Sequence, residues 1–392
     1  MQSLKDIEVR GKRVLLRADM NVSIDPKNGQ ILSDFRICSA LPTIRFLIDN
    51  GASVVLATHF GRPEGKKDPK YSVKFLIPVL EKLLEKKVHF ASDCIGDEAR
   101  GSAEKLKDGE VLLLENLRFH PGEEKNDEAF AKSLAKLADI YVNEAFSVCH
   151  RSHASVDAIT KLLPSYAGLL LSREVEHLTR IKDHSESPFV LIVGGAKISD
   201  KIETIEALGK KADSILIGGA LANTFLAAKG VPIGASLFQK EELDLAKMLM
   251  EKFCGKLWTP IDGAVWKCIG EKICVSEEVR NSNLLDLDPR EKIYDLGSGT
   301  IEKYSLKLSH AKTVFWAGPM GFFEKKPFEK GTFAIIEAIV SGDAFSVAGG
   351  GETVTAVGWS GHMDDFSFVS SGGSAALEFV AGNRLPGLEA LK

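Results

Sequence analysis

Residues 190–210 read VLIVGGAKISDKIETIEALGK and contain, in order, the three patterns that decide the fold. An apolar run from Val190 to Val193 ends at Gly194-Gly195, and a segment with helical spacing follows from Lys201 to Lys210. A run that is apolar on both faces is typical of a strand in a parallel sheet covered by helices. The stretch therefore predicts a strand, a glycine turn and a helix.

The same succession recurs along the chain. Further apolar runs are Val14–Leu16, Val54–Ala57, Val111–Leu114, Ile140–Val142, Ile215–Ile217, Thr313–Trp316, Phe345–Ala348 and Phe366–Val369. Segments with helical spacing are Ala40–Asp49, Glu128–Ala138, Glu241–Lys252 and Phe328–Val340. This alternation predicts an α/β fold with doubly wound parallel sheets. Residues 258–275 fit neither pattern, and Pro78 interrupts the pattern around it.

The length of the chain predicts two domains, because 392 residues are more than one hydrophobic core normally serves. The apolar positions from Tyr166 to Ile181 indicate one long helix near the midpoint. We therefore expect a first domain at 1–166, a connecting helix at 167–183 and a second domain at 184–376.

Composition excludes several classes of protein. No apolar run approaches the ~18 residues that span a bilayer, so no membrane segment is expected. Interspersed charges and a net charge of −4 give no basis for nucleic-acid binding. The first ten residues lack the apolar core of a secretory signal, which predicts a cytoplasmic protein. The cysteines form no C-x-x-C pair, so we expect buried free thiols rather than a zinc or redox motif at Cys38, Cys94, Cys149, Cys254, Cys268 and Cys274.

The two halves differ in the residues that follow their predicted strands, where doubly wound sheets bind ligands. The first half has mainly charged and amide residues there: Arg17, Asp19, Asn21, His59, Arg62, Glu115, Asn116, Arg118, Asn143, Glu144, His150, Arg151 and His153. The second half has glycines there: Gly194, Gly195, Gly218, Gly219, Gly318, Gly321, Gly349, Gly350, Gly351, Gly372 and Gly373.

Each kind of strand end predicts a different ligand. Guanidinium groups match phosphate and carboxylate oxygens in pairs, so the first half predicts a pocket for a small polyanion. Glycine turns let backbone N–H groups approach a phosphate, so the second half predicts a nucleotide site. A single arginine after a strand usually makes a surface ion pair, and a Gly-Gly turn often reflects packing alone. The prediction therefore depends on their joint placement.

Longer motifs resemble one family from end to end, although Walker, protein-kinase and dinucleotide-binding signatures are absent. In the first half they are Arg17-Ala-Asp-Met-Asn21, Thr58-His-Phe-Gly-Arg-Pro63, Glu115-Asn-Leu-Arg-Phe119 and His150-Arg-Ser-His153. In the second half they are Gly194-Gly-Ala-Lys-Ile-Ser-Asp-Lys-Ile202, Phe315-Trp-Ala-Gly-Pro-Met-Gly-Phe-Phe-Glu324, Gly349-Gly-Gly-Glu-Thr353 and Leu385-Pro-Gly-Leu-Glu-Ala-Leu391. The chain resembles the phosphoglycerate kinases.

The resemblance implies two Rossmann-like domains joined by a long helix, with a hinged cleft between them. It also implies that a C-terminal segment, residues 377–392, packs back on the first domain. It implies reversible phosphoryl transfer between 1,3-bisphosphoglycerate and ADP, giving 3-phosphoglycerate and ATP with Mg²⁺. The expected protein is a monomer whose partners are these small molecules. Because the acid and nucleotide sites fall in separate halves, transfer would require the halves to close.

Site residues follow from the matching motifs. The resemblance assigns the triose acid to Asp19, Asn21, Arg36, His59, Arg62, Arg118 and Arg151. It assigns the nucleotide to Lys197, Lys201, Glu324, Gly350, Gly351, Glu352 and Thr353. Arg36 and Lys197 are expected at the moving phosphoryl group, where charge neutralisation matters most. The nucleophile in the ATP-consuming direction is an ionised carboxylate, so no general base is required.

Departures from the family pattern cluster on the nucleotide side. Glu352 replaces an aspartate that helps to hold the nucleotide's magnesium, Ala317 replaces an asparagine, and Gly297-Ser-Gly-Thr300 and Gly372-Gly-Ser374 also differ. These changes leave two alternatives beside an active kinase. One is a nucleotide-binding or regulatory homologue with weakened catalysis, and the other is a kinase for another small acid.

Overall fold

The structure is a computed structural model that describes residues 2–25, 27–267 and 279–392. The chain divides into two compact units, Met1–Glu176 with Arg384–Lys392, and His177–Asn383. The division falls inside the helix that was expected to connect the domains. The returning segment begins at residue 384 in this division, whereas residue 377 was expected. Residues 377–381 belong instead to a helix of the second unit.

The strands are β1 (Arg13–Ala18), β2 (Ser53–Ala57), β3 (Val88–Ala91), β4 (Val111–Leu114), β5 (Ile140–Glu144), β6 (Ser165–Ala167), β7 (Phe189–Val193), β8 (Ser214–Ile217), β9 (Leu257–Trp258), β10 (Asp262–Lys267), β11 (Arg280–Asn283), β12 (Glu291–Leu296), β13 (Thr313–Ala317), β14 (Phe345–Gly349) and β15 (Phe368–Val369).

The helices are α1 (Phe35–Asp49), α2 (Ile77–Leu84), α3 (Gly96–Glu104), α4 (Pro121–Glu124), α5 (Glu128–Ala135), α6 (Leu169–Asp183), α7 (Ile202–Gly209), α8 (Gly219–Ala228), α9 (Leu243–Lys252), α10 (Ser298–Leu308), α11 (Lys330–Val340), α12 (Gly351–Ser360), α13 (Ser374–Ala381) and α14 (Pro386–Glu389).

Each unit contains a parallel sheet whose central strands are buried on both faces. In the first unit the strand order is β3-β4-β2-β1-β5-β6, and β2 and β4 are buried throughout. In the second unit the order is β15-β14-β13-β7-β8-β9, with β7 and β13 buried throughout. In both sheets the first strand of the unit, β1 or β7, has later strands on both of its sides, β2 and β5 or β8 and β13. The strand order therefore reverses at this point, where such folds have the crevice that binds ligands. The prediction of parallel α/β units is confirmed.

Several local predictions differ from the structure. The long helix begins at Leu169, because residues 165–167 pair with β5 as strand β6. Helix α1 begins at Phe35, five residues before the predicted start, and includes Pro42. Part of the unassigned region forms β10, which pairs with β11 and β12 in an antiparallel sheet. Residues 268–275 of that region lie outside the described residues.

The cysteine prediction holds in part. Cys94 and Cys149 are buried free thiols, Cys38 is partly buried, and Cys254 is exposed, which corrects the expectation for that residue. Cys268 and Cys274 lie outside the described residues. Within residues 2–25, 27–267 and 279–392, no helix has the length and apolar character needed to cross a membrane.

The C-terminal motif packs on the first unit. The backbone N–H of Gly387 in α14 donates to the carbonyl oxygen of Cys149 at 2.9 Å. A Cβ atom at residue 387 would lie 2.5 Å from the Val156 side chain, so only glycine permits this approach. The motif thus has a steric role in the first unit.

Candidate active site

Asp19 lies directly after β1 and is the acidic centre of the first sheet edge. Its carboxylate accepts hydrogen bonds from the Arg36 guanidinium, the Ser147 hydroxyl and, at 2.9 Å, the backbone N–H of Asn21. Burial alone would raise the pKa of Asp19, but Arg36 and these hydrogen bonds lower it to about 2. Asp19 is therefore ionised at neutral pH and orients the Arg36 side chain.

His59 follows β2 and is buried beside Asp19. Nη2 of Arg17 lies 3.2 Å from His59 Nδ1. A guanidinium can only donate, so Nδ1 carries the lone pair and Nε2 carries the proton. Burial, with the nearby arginine charges, lowers the pKa of His59 well below its usual value despite Asp19. The imidazole is thus a neutral hydrogen-bond donor through Nε2.

A buried chain of hydrogen bonds between charged residues supports this edge. Arg17 is fully buried, and its Nε donates to Ser155 Oγ at 3.0 Å. Ser155 in turn donates to the buried Glu123 carboxylate, from Oγ at 2.6 Å and from its backbone N–H at 2.9 Å. The Ser155 hydroxyl thus links the buried charges of Arg17 and Glu123. From the sequence, Arg17 was predicted only as one of the strand-end residues, and Glu123 and Ser155 were not predicted, because no spacing pattern marks them.

The turn after β2 is fixed by residues from other strands. Asn21 Oδ1 accepts a hydrogen bond from the Gly61 N–H at 3.0 Å, and Arg118 Nη1 donates to the Gly61 carbonyl at 2.9 Å. Asn116 Nδ2 donates to the carbonyl oxygens of Phe60 and Tyr71 at 2.8 Å each. These bonds gather Asn21, Arg118 and the residues beside His59 at one place.

The remaining predicted acid-side residues are more open. Arg62 and Arg151 are exposed, and the Arg36 side chain is 29% exposed. Arg151 Nε donates to the neighbouring His150 Nε2 at 3.0 Å. The structure thus brings Asp19, Asn21, Arg36, His59 and Arg118 together in one network, and leaves the Arg62 and Arg151 guanidinium groups at the surface.

Glu144, at the end of β5, is buried and caps α6. Its oxygens accept hydrogen bonds from the Leu170 N–H at 3.0 Å, the Leu171 N–H at 3.2 Å and the Thr43 hydroxyl. Burial raises the pKa of Glu144 to about 7. The residue was recognised only as a strand-end acid. Its contact with the helix start could not be read from the sequence.

In the second unit the strand ends approach one another through backbone contacts. The N–H groups of Gly194, Gly195 and Gly219 donate to the carbonyls of Ala317, Pro319 and Met320 at 2.9, 2.9 and 2.7 Å. A Cβ at residue 194 would lie 2.1 Å from the Pro319 oxygen. Close packing therefore requires glycine here, independently of any ligand.

These turns border a cavity of about 660 Å³ inside the second unit. Its lining includes Gly195, Gly219, Tyr294, Phe322, Glu324 and Glu352. The aromatic rings of Tyr294 and Phe322 are stacked with centroids 6.3 Å apart. Glycine backbone, stacked rings and two carboxylates suit a ligand that has a flat ring and polar groups.

The two predicted lysines differ in their surroundings. Lys201 directly precedes α7, and its Nζ lies 3.0 Å from the Cβ position of Gly195. Burial lowers the pKa of Lys201, opposed by Asp200 and Glu352. Lys197 is exposed, and the buried Glu242 anchors the loop after it by accepting from the N–H of Ile198 at 2.8 Å. Glu242 was not identified from the sequence.

The loop at the start of α12 contains exposed glycine and carboxylate groups and one buried hydroxyl that already makes a hydrogen bond. Gly350 has a φ of 95°, and a Cβ at Gly351 would meet nothing within 4 Å. Thr353 is fully buried, and its Oγ1 accepts the Gly318 N–H at 2.6 Å, so this hydroxyl joins two strand ends. Glu352 is exposed in the first turn of the helix.

Glu352 offers a protein carboxylate for a magnesium ion here. Within the described residues, Glu352 belongs to no group of three or more clustered metal-ligating side chains. Mg²⁺ commonly takes one or two carboxylates and completes its shell with waters and substrate phosphates. An exposed carboxylate beside the glycine turn therefore fits an ion that arrives with a nucleotide.

Known phosphoglycerate kinases are similar to this chain in sequence and in fold. The family model described as "PGK: Phosphoglycerate kinase" matches residues 4–383. The phosphoglycerate kinase of Anaeromyxobacter dehalogenans (strain 2CP-C) is 45% identical over 399 residues, which cover 100% of this chain and 99% of the relative. That of Solibacter usitatus (strain Ellin6076) is 45% identical over 397 residues, covering 99% and 98%.

Two solved structures are similar throughout. The phosphoglycerate kinase from Coxiella burnetii has a TM-score of 0.85 at 37% identity and covers 99% of this chain and 98% of its own. The phosphoglycerate kinase from Pyrococcus horikoshii OT3 has a TM-score of 0.88 at 35% identity, covering 100% and 98%.

Proposed function

The chain belongs to the phosphoglycerate kinase family, and on this premise we propose that it transfers a phosphoryl group reversibly between 1,3-bisphosphoglycerate and ADP, giving 3-phosphoglycerate and ATP. The observation that supports it most directly is the network of Asp19, Arg36, His59 and Arg118 at one sheet edge. Nothing in the comparisons favours a catalytically weakened homologue.

In this proposal the first unit binds the acid. Arg62, Arg118 and Arg151 supply guanidinium donors for carboxylate and phosphate oxygens, which they match in pairs. His59 donates through its neutral Nε2–H, and Asn21 fixes the turn that carries Arg62. Asp19 has its acceptor atoms already engaged, so its role is to hold Arg36 in place.

The second unit binds the nucleotide. The cavity takes the base and ribose, with Glu324 accepting from the ribose hydroxyls. Lys201 and the Gly350–Gly351 turn face the phosphates, and Thr353 keeps that turn in position through its bond to Gly318. Glu352 would hold Mg²⁺, which supplies charge neutralisation of the nucleotide phosphates when bound.

Transfer itself needs no general base, because the attacking carboxylate is already ionised at neutral pH. Arg36 and Lys197 neutralise the charge that spreads over the moving phosphoryl oxygens, an effect felt mainly in the transition state. Asp19 contributes by fixing the guanidinium before the substrate arrives, which lowers the cost of orienting it during the reaction.

Because the assigned residues belong to two separate units, we infer a hinge motion that brings the reacting atoms to within ~3.5 Å. Small-angle scattering should show a smaller radius of gyration with both substrates than with either alone. An unchanged radius in a complex that turns over would contradict a large closure.

Steady-state kinetics with 3-phosphoglycerate and MgATP test the function directly. We expect saturable ATP consumption with this acid and much lower kcat/KM with other small carboxylic acids. Nucleotide binding without turnover would instead support the weakened homologue, and preference for another acid would support a different substrate. A monomeric state, cytoplasmic location and lack of nucleic-acid or membrane partners stay predictions, the first of which sedimentation would check.

A further inference from the structure

Three side chains with no part in this reaction lie together in the first unit. Asp93, Cys94 and His120 each offer one ligand atom, and these atoms lie within 4.8 Å of one another. Nε2 of His120 is 2.6 Å from Asp93 Oδ1. Within the described residues, this is the group whose composition and spacing could hold a metal ion.

The fold places these residues side by side. Asp93 and Cys94 follow β3, while His120 follows β4 after the short 3-10 turn Leu117–Phe119. The two strands are paired in parallel, with Ala91 opposite Leu114, so both segments leave the sheet at the same edge. The cluster therefore rests on the sheet, although 27 positions separate Asp93 from His120.

Local contacts restrict the three side chains. The Cys94 backbone N–H donates to Asp93 Oδ1 at 2.6 Å, which turns the carboxylate toward the thiol segment. The His120 ring packs against Phe130 with centroids 5.4 Å apart. Ligands that are held before a metal arrives lose less conformational freedom on binding.

The three side chains of the cluster differ in their exposure to solvent. Cys94 is fully buried, whereas the side chains of Asp93 and His120 are 39% and 29% exposed. The exposed side gives an entry path and leaves room for a water as a further ligand. The buried side removes the sulfur from solvent, as is common in thiolate metal sites.

We propose that Asp93, Cys94 and His120 form a binding site for a borderline-soft divalent metal ion, with zinc as the best match. A thiolate, an imidazole and a carboxylate are the donor types that zinc takes in proteins, and three protein ligands with one open position is a recurrent zinc geometry. Magnesium, which prefers oxygen ligands throughout, does not fit this set.

Binding requires defined proton movements. The Cys94 thiol loses its proton to solvent. His120 Nε2, whose N–H donates to Asp93 before binding, gives up that proton through solvent, with the neutral ring keeping its proton on Nδ1, so the Nε2 lone pair can bind the metal. Zinc–ligand bonds of ~2.0–2.3 Å put tetrahedral ligand atoms ~3.3–3.8 Å apart, so side-chain rotations suffice. No oxidant or reductant takes part. A bound ion would also fix the turn that carries Arg118.

Cobalt(II) titration of the full-length, nucleotide-free protein tests the site, because a thiolate–cobalt bond gives a near-ultraviolet charge-transfer band. We expect one equivalent of cobalt to produce this band, and zinc to displace it. Cys94→Ser should abolish the band. His120→Gln and Asp93→Asn should each weaken zinc affinity at least ~10-fold.

Matched controls are available on the same unit. Cys38→Ser removes a partly buried thiol elsewhere, and His89→Gln removes a histidine from β3, so both should bind cobalt like the parent. Should the buried Cys94→Ser change impair folding, the partly exposed His120 provides a variant that leaves the buried thiol in place.

Two outcomes would overturn the proposal. One is the absence of a thiolate–cobalt band in the folded parent protein. The other is loss of a ligand assignment: a band that survives in Cys94→Ser would place the thiolate ligand elsewhere, and full affinity in His120→Gln would remove the imidazole from the site.

Discussion

At the edge of the first sheet the groups proposed to bind a ligand are side chains, whereas at the edge of the second they are mainly backbone turns. Arg36 and His59 hold their positions through ionic and hydrogen-bonded networks with Asp19 and Arg17. Gly194 and Gly219 hold theirs because carbonyls of a neighbouring turn leave no room for a Cβ. One edge therefore depends on charge balance and the other on steric fit.

Such edges should fail in different ways. Loss of one buried charge at the first edge leaves its partner uncompensated, while an added methyl at the second edge forces strand ends apart. The first edge should also respond to pH through its buried carboxyls.

Arg17→Met should cost the most, about 3–5 kcal/mol in the free energy of unfolding, because Glu123 would stay buried without its compensating charge. Arg13→Met is the matched control on the same strand, since its ion pair with Asp139 is partly exposed, and it should change stability by less than about 1 kcal/mol. Denaturant unfolding measures both. Recovery in the double variant Arg17→Met, Glu123→Gln would show that the loss comes from the unpaired charge.

Arg36→Ala and Lys197→Ala should each lower kcat by about 100-fold, corresponding to about 3 kcal/mol of transition-state stabilisation, with smaller changes in KM. Arg45→Ala, on the same helix as Arg36 but exposed, is the control and should retain the parent kcat. Steady-state kinetics in both directions would measure the effect. Near-normal kcat in either variant would refute its role at the moving phosphoryl group.

Glu144 should make the free energy of unfolding depend on pH. Its pKa is raised to about 7 from a usual 4.5, so the folded state keeps its proton at pH values where the unfolded state has lost it. The stability contribution is therefore complete below pH 4.5 and is lost as the pH rises through about 7, by up to about 3 kcal/mol.

Glu144→Gln should remove this part of the slope, whereas the exposed Glu128→Gln should not. Calorimetric unfolding of the parent and the two variants between about pH 4 and 8 would compare the pH dependence of their stability. Parallel pH profiles for the parent and Glu144→Gln would show that the carboxyl has an ordinary pKa.

Gly219→Ala tests the steric edge. A Cβ there would lie 2.6 Å from Gly195 N, and the residue has a φ of 66°, so we expect a loss of at least about 2 kcal/mol together with weaker nucleotide binding. Gly358→Ala, inside α12 with its nearest neighbour atom 3.8 Å from the Cβ position, should instead gain up to about 1 kcal/mol. Thermal unfolding measures both variants. Equal effects would contradict a steric role for Gly219.

Glu352 should give the smallest effect. An aspartate would shorten the side chain and suit magnesium's strict geometry better, so Glu352→Asp should lower the Mg²⁺ concentration for half-maximal rate and Glu352→Ala should raise it. A magnesium titration at fixed nucleotide concentration measures the shift. Identical curves for parent and variants would remove Glu352 from the metal site.

Much of this protein could be inferred from local patterns. Apolar runs such as Val190–Val193 predicted strands because a strand covered on both faces must be apolar on both. The positions of the arginines and glycines predicted side-chain groups at the strand ends of the first half and backbone turns at those of the second. Tyr166 and Ala167 were predicted as helix but belong to strand β6, because their strand character comes from pairing with β5, which no local pattern reports.

The sequence by itself determined the parallel sheets and the family, and it predicted a ligand class for each edge, because these depend on residue types at short spacing. Only the tertiary structure decided that Ser155 links Arg17 with Glu123, that Glu144 caps α6, and that the Thr353 hydroxyl is already engaged. It alone also brought Asp93 and Cys94 to His120. These contacts join residues from different strand ends, and the order of strands in a sheet is fixed by long-range packing rather than by neighbouring residues.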